Sequence, residues 1–225
     1  MMGKIVAVPA VLALSDGLVF HGQSVGCLGE ASGELVFHTA MSGYQEILTD
    51  PSYAQQIILF TSPHIGNVGT CSQDMESHRV FASAAVMRSM SDHSNHWRSE
   101  QSLSEFLSEQ KTVAISGVYT RFLTNHLREN GTCSACVVAA EADINVIEKR
   151  ALALAQSFAG LNGRDLASEV TTDQPYQWEE GTCSLQALLP ASVSPRGPHV
   201  VVLDYGVKRQ MLRLLVDQGC RVSVV

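Results

Sequence analysis

The end of the chain constrains the fold most. His199–Leu203 is a continuous apolar run, Val207, Met211, Leu214 and Leu215 recur at helical spacing, Gly219 closes that helix, and Arg221–Val225 begins a second strand. Strand, helix and strand in such short succession read as a β–α–β unit, with a right-handed crossover. Strands of this uninterrupted apolar kind belong to parallel sheets covered on both faces. One such unit cannot cover both faces, and its strands lack neighbours. Residues 199–225 are therefore expected to be the start of a domain cut short. The alternative is that they pack onto the preceding domain as an extension of its sheet.

The preceding residues read as one α+β domain. Val6–Leu14 and Gly17–Phe20 flank Ser15-Asp16, a hairpin signal. Glycines clustered between residues 22 and 33 predict tight loops, and Glu34–Thr39, Gln56–Phe60 and Ala82–Met87 predict strands. Tyr44–Leu48 predicts one helical turn that ends before Pro51, because a residue preceding proline avoids helical geometry. From residue 102 strands and helices alternate. Ser102 and Glu105 form a capping box, Thr112–Ser116 and Ser134–Ala140 are strands, and Thr120–Glu129 and Ile144–Phe158 are helices, the first stopped by Gly131. Residues 159–198, rich in Gly, Ser, Thr and Pro, lack periodicity and read as a linker.

Composition excludes several functions. A net charge of -7 argues against a nucleic-acid binder, because such a protein needs a basic face to displace counterions from phosphate. No apolar run is long enough to span a membrane. The stretch Ile5–Leu14 after Lys4 has signal-peptide length, but Pro9 interrupts it and Ser15-Asp16-Gly17 closes it as a turn, so a buried strand and a cytoplasmic protein are expected. Six cysteines in a chain of this size predict reduced thiols rather than a disulfide framework.

Three groups of residues invite a site. Gly26-Cys27-Leu28-Gly29 looks like part of a nucleophile elbow, which requires a strand before it and a helix directly after. Here Glu30–Glu34 leads into another strand, so Cys27 is not expected to be catalytic. Cys133-Ser134-Ala135-Cys136 is a lone CxxC with no second pair to complete a zinc site, and it lies between a helix end and a strand, not at a helix N-terminus where a redox pair would sit. His93 and His96 fall in a polar stretch with Asp92 as the near carboxylate, and read as solvated surface. Cys220 reads as a small buried hydrophobe.

The ordered motifs Phe37-His38-Thr39-Ala40-Met41-Ser42-Gly43-Tyr44-Gln45-Glu46, Leu48-Thr49-Asp50-Pro51-Ser52-Tyr53, Pro63-His64-Ile65-Gly66-Asn67, Leu161-Asn162-Gly163, Glu169-Val170-Thr171-Thr172 and Asp204-Tyr205-Gly206-Val207-Lys208-Arg209 resemble the small subunit of carbamoyl-phosphate synthase. The resemblance implies a fold of mixed α+β and α/β type. A small-subunit N-terminal domain (1–158) and a linker (159–198) would precede the first β–α–β of a flavodoxin-like class I glutamine amidotransferase domain (199–225). It implies hydrolysis of L-glutamine to glutamate and ammonia. Ammonia would pass to a large subunit that makes carbamoyl phosphate from bicarbonate and two ATP, for arginine and pyrimidine synthesis. No cofactor is expected in the small subunit; ATP and Mg belong to the large one. The family's cysteine nucleophile, histidine base and orienting glutamate would lie beyond Val225, so the chain alone is expected to be inactive. Ser52 matches the family serine that helps bind glutamine, while a serine that merely caps its turn is the plainer alternative. Lys208 and Arg209 are expected to be structural or interface residues.

The chain departs from the family pattern at three places. His38 and Gln210 replace asparagines, and Tyr119 replaces an aspartate beside Arg121. Two other functions compete with the glutaminase subunit: a non-catalytic module that docks on the large subunit, and an unrelated thiol enzyme using Cys27 or Cys133 and Cys136.

Overall fold

The computed structural model describes residues 8–183, 190–192 and 197–225. Its first part is a closed barrel of seven strands: β1 (Pro9–Leu14), β2 (Val19–Ser24), β3 (Gly29–His38), β4 (Gln56–Phe60), β5 (Ala84–Val86), β6 (Val113–Ser116) and β7 (Cys133–Ala139). Neighbours around the barrel run β1-β2-β6-β5-β4-β3-β7, and β7 returns to β1. The β3-β4, β4-β5 and β5-β6 pairs are parallel, whereas β1-β2, β2-β6, β3-β7 and β1-β7 are antiparallel. Closure leaves no unpaired edge, a property that local patterning in the sequence does not express.

Strand periodicity sorts the barrel's side chains into two sets. Leu12, Leu14, Ile57, Leu59, Ile115 and Val137 share the interior cluster with Leu123 and Leu127 of α3 (Thr120–Asn130). Their alternates face outward. Val11, Ala13 and Val138 are covered by α4 (Ile144–Ser157) through Ile147, Ala151 and Ala155. Ile58, Phe60 and Met87 lie under α1 (Tyr44–Thr49) and α2 (Leu103–Glu109). The predicted capping box begins α2: the Glu105 backbone N–H donates to Ser102 Oγ, and Glu105 Oε2 accepts from the Ser102 N–H at 2.9 Å.

Of the glycines at 22–33, Gly26 lies in the expected tight connection, between β2 and β3, but the others lie in strands. Gly22 lies within β2, and Gly29 and Gly33 lie within β3. A Cβ on Gly22 would stand 2.2 Å from the Ser116 carbonyl oxygen, and one on Gly33 would stand 2.6 Å from that of Gln55. These positions need glycine because a neighbouring backbone crosses them closely, which a composition-based reading mistakes for turn signals. Of the first predicted strand, Val6 and Ala7 lie outside the described residues.

Residues 159–183 include α5 (Leu166–Val170), β8 (Tyr176–Trp178) and β9 (Glu180–Cys183), the last paired with β10 (Pro190–Ser192). The predicted β–α–β is present as β11 (His199–Val202), α6 (Arg209–Asp217) and β12 (Arg221–Val224), with β11 and β12 parallel. It does not extend the barrel: β12 pairs on its other side with β8, making a separate three-stranded sheet. The core face of α6 also differs from the expected one. Leu212 and Val216 pack on Val222 and Val224, while Met211 and Leu214 are half exposed. Apolar residues occur around much of this helix, so packing rather than periodicity selected the inward stripe. Residue Val201 is 56% exposed, so β11 is covered on one face only among the described residues.

Candidate functional site at the junction of barrel and sheet

The Asp50-Pro51-Ser52-Tyr53 motif forms a short 3-10 turn between α1 and β4. Asp50 is buried, and both its oxygens are used. Oδ1 accepts the Ser52 N–H at 2.9 Å, which shapes the turn, and Oδ2 pairs with Lys208 Nζ at 2.9 Å. A carboxylate out of water is tolerable only when paired and hydrogen-bonded. The Asp50 hydrogen bond is also the main reason the Lys208 ammonium is held above its ordinary pKa. Ser52 itself is exposed, and its hydroxyl makes no hydrogen bond within the described residues.

Two further contacts seat the α/β unit on this turn. Gly206, in the left-handed region at φ 93°, lies so close that a Cβ there would meet Pro51 Cβ at 3.0 Å and Val170 Cγ2 at 2.9 Å. Glu76 caps α6 from the barrel side: its backbone oxygen accepts the Arg209 N–H at 2.9 Å and its Oε2 accepts the Gln210 N–H at 3.0 Å. An acidic group at a helix N-terminus satisfies orphan N–H donors and opposes the positive end of the helix. Glu76 is held in turn by its own N–H, which donates to Thr49 Oγ1 at 2.9 Å. Asp204 ties the strand end together, accepting from the Thr172, Gly206 and Val207 N–H groups. Between these elements lies a hollow of about 600 Å³, lined by residues that include Pro51, Glu76, Thr172, Trp178, Asp204 and Arg209.

His38 joins the same corner. Its Nδ1 accepts the Ala40 N–H at 3.1 Å, and its ring meets that of Tyr53 edge-on at 6.2 Å. Burial pushes its pKa below the ordinary imidazole value; Asp50 opposes that shift and Lys208 adds to it. Sequence reading singled out Ser52 and treated Lys208 as structural, but missed that His38, Asp50 and Lys208 converge and that Glu76 caps a helix 134 positions later. No local spacing encodes such pairs. The Ser42–Glu46 motif has a structural explanation nearby: buried Gln45 exchanges two hydrogen bonds with the Cys71 backbone, and Tyr44 hydroxyl donates to Gly69 O. Burial pushes that phenol up to about 12.

The cysteine and histidine motifs are dispersed. Cys27 stands between β2 and β3, bridging to Val113, on no strand-to-helix turn, and burial raises its thiol. Cys133 and Cys136 lie on β7, three residues apart, and so face opposite sides of the sheet. Cys133 packs against the barrel interior and Cys136 lies under α4. Burial pushes Cys133 up to about 11 and also raises Cys136. His93 and His96 are exposed on the 89–101 loop, and Cys220 packs against the small core of α6. Among the described residues no cluster of three or more His, Cys, Asp or Glu side chains is arranged to hold a metal. No helix among them is long and apolar enough to cross a membrane.

Fold and junction define a two-part protein of mixed α and β structure, in which a barrel presents a polar turn to a unit built on a mixed three-stranded sheet. Comparison with known proteins specifies the class further. The family model for the carbamoyl-phosphate synthase small chain, CPSase domain, matches residues 12–137. The carbamoyl phosphate synthase small chain of Pseudomonas aeruginosa is 49% identical over 221 residues, covering 96% of this chain and 57% of that protein. Those of Stutzerimonas stutzeri and Vibrio vulnificus are 49% and 50% identical over 228 and 218 residues. The chain belongs to the carbamoyl-phosphate synthase small chain family. It spans 57% to 58% of the length of these three relatives.

Proposed function

We propose that the chain supplies the barrel side of a glutamine-handling site in a cytoplasmic carbamoyl-phosphate synthase. In this reading Ser52 offers its hydroxyl to L-glutamine at the junction with the α/β unit. Glutamine is hydrolysed there, and ammonia passes to a large-subunit partner that forms carbamoyl phosphate from bicarbonate and two ATP. The units are residues 1–158, a connecting segment 159–198, and residues 199–225 as the opening β–α–β of a flavodoxin-like class I amidotransferase domain. The observation that carries this reading is the exposed, unbonded hydroxyl of Ser52, held on a turn whose geometry Asp50 and Lys208 set from both sides. A hydroxyl both donates and accepts, and so suits either polar end of an amino acid.

The reaction needs a thiolate beside a general base. Cys27 occupies a bridge, Cys71 is buried just before a short 3-10 turn, Cys133, Cys136 and Cys183 lie on strands, and Cys220 lies at a helix-to-strand turn. None of these settings presents a thiol as an elbow does, so we assign no nucleophile within residues 1–225 and expect this chain alone to be inactive. The test has two parts. Incubated with glutamine, the chain is expected to release no ammonia above a protein-free control; release abolished by Cys27→Ala would overturn the assignment. Millimolar L-glutamine is expected to shift the Ser52 and Tyr53 amide resonances, with the shift lost in Ser52→Ala. Resonances that do not move would remove Ser52 from the site.

A second reading, a non-catalytic module that docks on the large subunit, draws support from the closed barrel with its own buried interior. Co-purification with the large subunit supports it, and no association at micromolar concentration counts against it.

A further inference from the structure

A second hollow, of about 460 Å³, opens at the end of the parallel strands opposite the Ser52 turn. Thr61 follows β4, Arg88 follows β5 and Tyr119 follows β6, and all three line it. In parallel sheets, ligands collect beyond the carboxyl ends of the strands. The opposite wall is α3, which contributes Arg121, Thr124, Asn125 and Arg128. These four recur at i, i+3, i+4 and i+7, one face of a helix, opposite the Leu123 and Leu127 stripe buried in the barrel.

Three guanidinium groups thus line one cavity, and no acidic residue lines it. Among the described residues none of the three is in an ion pair. Arg88 instead lies 5.5 Å over the Tyr119 ring, and its backbone oxygen accepts the Gly117 N–H at 3.0 Å, which anchors it beside the start of α3. On a chain of net charge -7, such uncompensated positive charge stands out against the surrounding field. Tyr119, where the family pattern has a carboxylate, supplies no counter-charge.

We propose that this hollow is an anion site that takes a small phosphorylated molecule with two or more negative charges. Guanidinium forks pair two-pronged with phosphate oxygens. Arg121 and Arg128 are about 10 Å apart along the helix axis, a separation that spreads charge over more than one carboxylate could meet. The Asn125 amide supplies a neutral donor between them, while the Thr124 hydroxyl is already given to the Thr120 carbonyl oxygen at 2.8 Å.

The probe is pyrophosphate, titrated calorimetrically into the 225-residue chain at low ionic strength, with citrate in parallel. Saturable one-site binding is expected, weakening as salt rises and tighter for pyrophosphate than for citrate. Arg121→Gln and Arg128→Gln are each expected to weaken it about tenfold, as is Tyr119→Asp, which places a carboxylate among the cations. Arg150→Gln, at a guanidinium paired with Glu30 away from the hollow, is expected to leave it unchanged. Circular dichroism confirms that each variant is folded. No saturable pyrophosphate binding overturns the proposal, as does citrate binding more tightly, or equal loss in Arg150→Gln.

Discussion

Lys208 Nζ lies 2.9 Å from Asp50 Oδ2, while the other oxygen of that carboxylate holds the Ser52 N–H. One buried carboxylate therefore both shapes the Ser52 turn and fastens the α/β unit to the barrel.

Removing Lys208 should cost more than an exposed ion pair would, because it leaves Asp50 buried with one oxygen unmet. Lys208 is partly exposed, which screens part of the effect. Lys208→Met is expected to lower unfolding free energy by about 1–3 kcal/mol, and Lys208→Arg by less. Urea unfolding at neutral pH measures both. A Lys208→Met variant as stable as the parent would show that the pair contributes nothing.

His38 makes a prediction with a definite sign. Its folded pKa lies below the ordinary value, chiefly through burial, so the unfolded chain binds its proton first as pH falls. Stability from this group is present above the unfolded imidazole pKa of about 6.5 and is lost as pH falls toward the folded value. His38→Asn should therefore lose less stability than the parent between neutral and mildly acid pH. The difference between their thermal melting curves across that range isolates the residue; parallel curves would contradict it.

Glu76 caps α6 across the junction. Glu76→Ala is expected to cost about 1 kcal/mol, the usual cost of losing a helix cap. Hydrogen exchange should accelerate most at the Gln210 amide, which loses its carboxylate acceptor, and less at Arg209, whose acceptor is the Glu76 backbone oxygen, while the barrel strands stay protected. Unchanged exchange at both amides would show that the cap does not hold the helix.

Thiol labelling separates the buried cysteines from reactive ones. Cys133 is pushed up to about 11 and Cys136 is fully buried, so both should label slowly in the native chain at neutral pH and rapidly in denaturant. A native rate at either position equal to that of a free thiol would overturn the account of this pair.

Packing offers a direct contrast. Ile57→Ala, inside the barrel at 0% exposure, is expected to cost about 2–5 kcal/mol. Val201→Ser, on the uncovered face of β11, should change stability by less than about 0.5 kcal/mol. Denaturant unfolding of the two variants checks this.

Much of the local structure was legible. The Ser102–Glu105 capping box, the strand at Gln56–Phe60, the helix from Ile144 and the final β–α–β all follow from caps, breakers and periodicity, which are short-range signals. The glycines at 22 and 33 misled because their reason is a carbonyl oxygen far along the chain, Ser116 or Gln55, and nothing beside them records it. The stripe on α6 misled for a related reason: Leu212 and Met211 are equally apolar, and only the sheet beneath selects between them.

The amino-acid sequence by itself determined the kind and order of most elements up to residue 158 and of the final β–α–β, and the family to which the ordered motifs point, but not α5, β8, β9 or β10. Only the tertiary structure decided that seven strands close into a barrel, that Asp50 meets Lys208, that Glu76 caps α6, and that three arginines from two separate segments share one hollow. Period and capping act over a few residues, whereas closure and pairing depend on groups brought together across most of the chain. Their energies are defined only once the backbone has fixed which groups are neighbours.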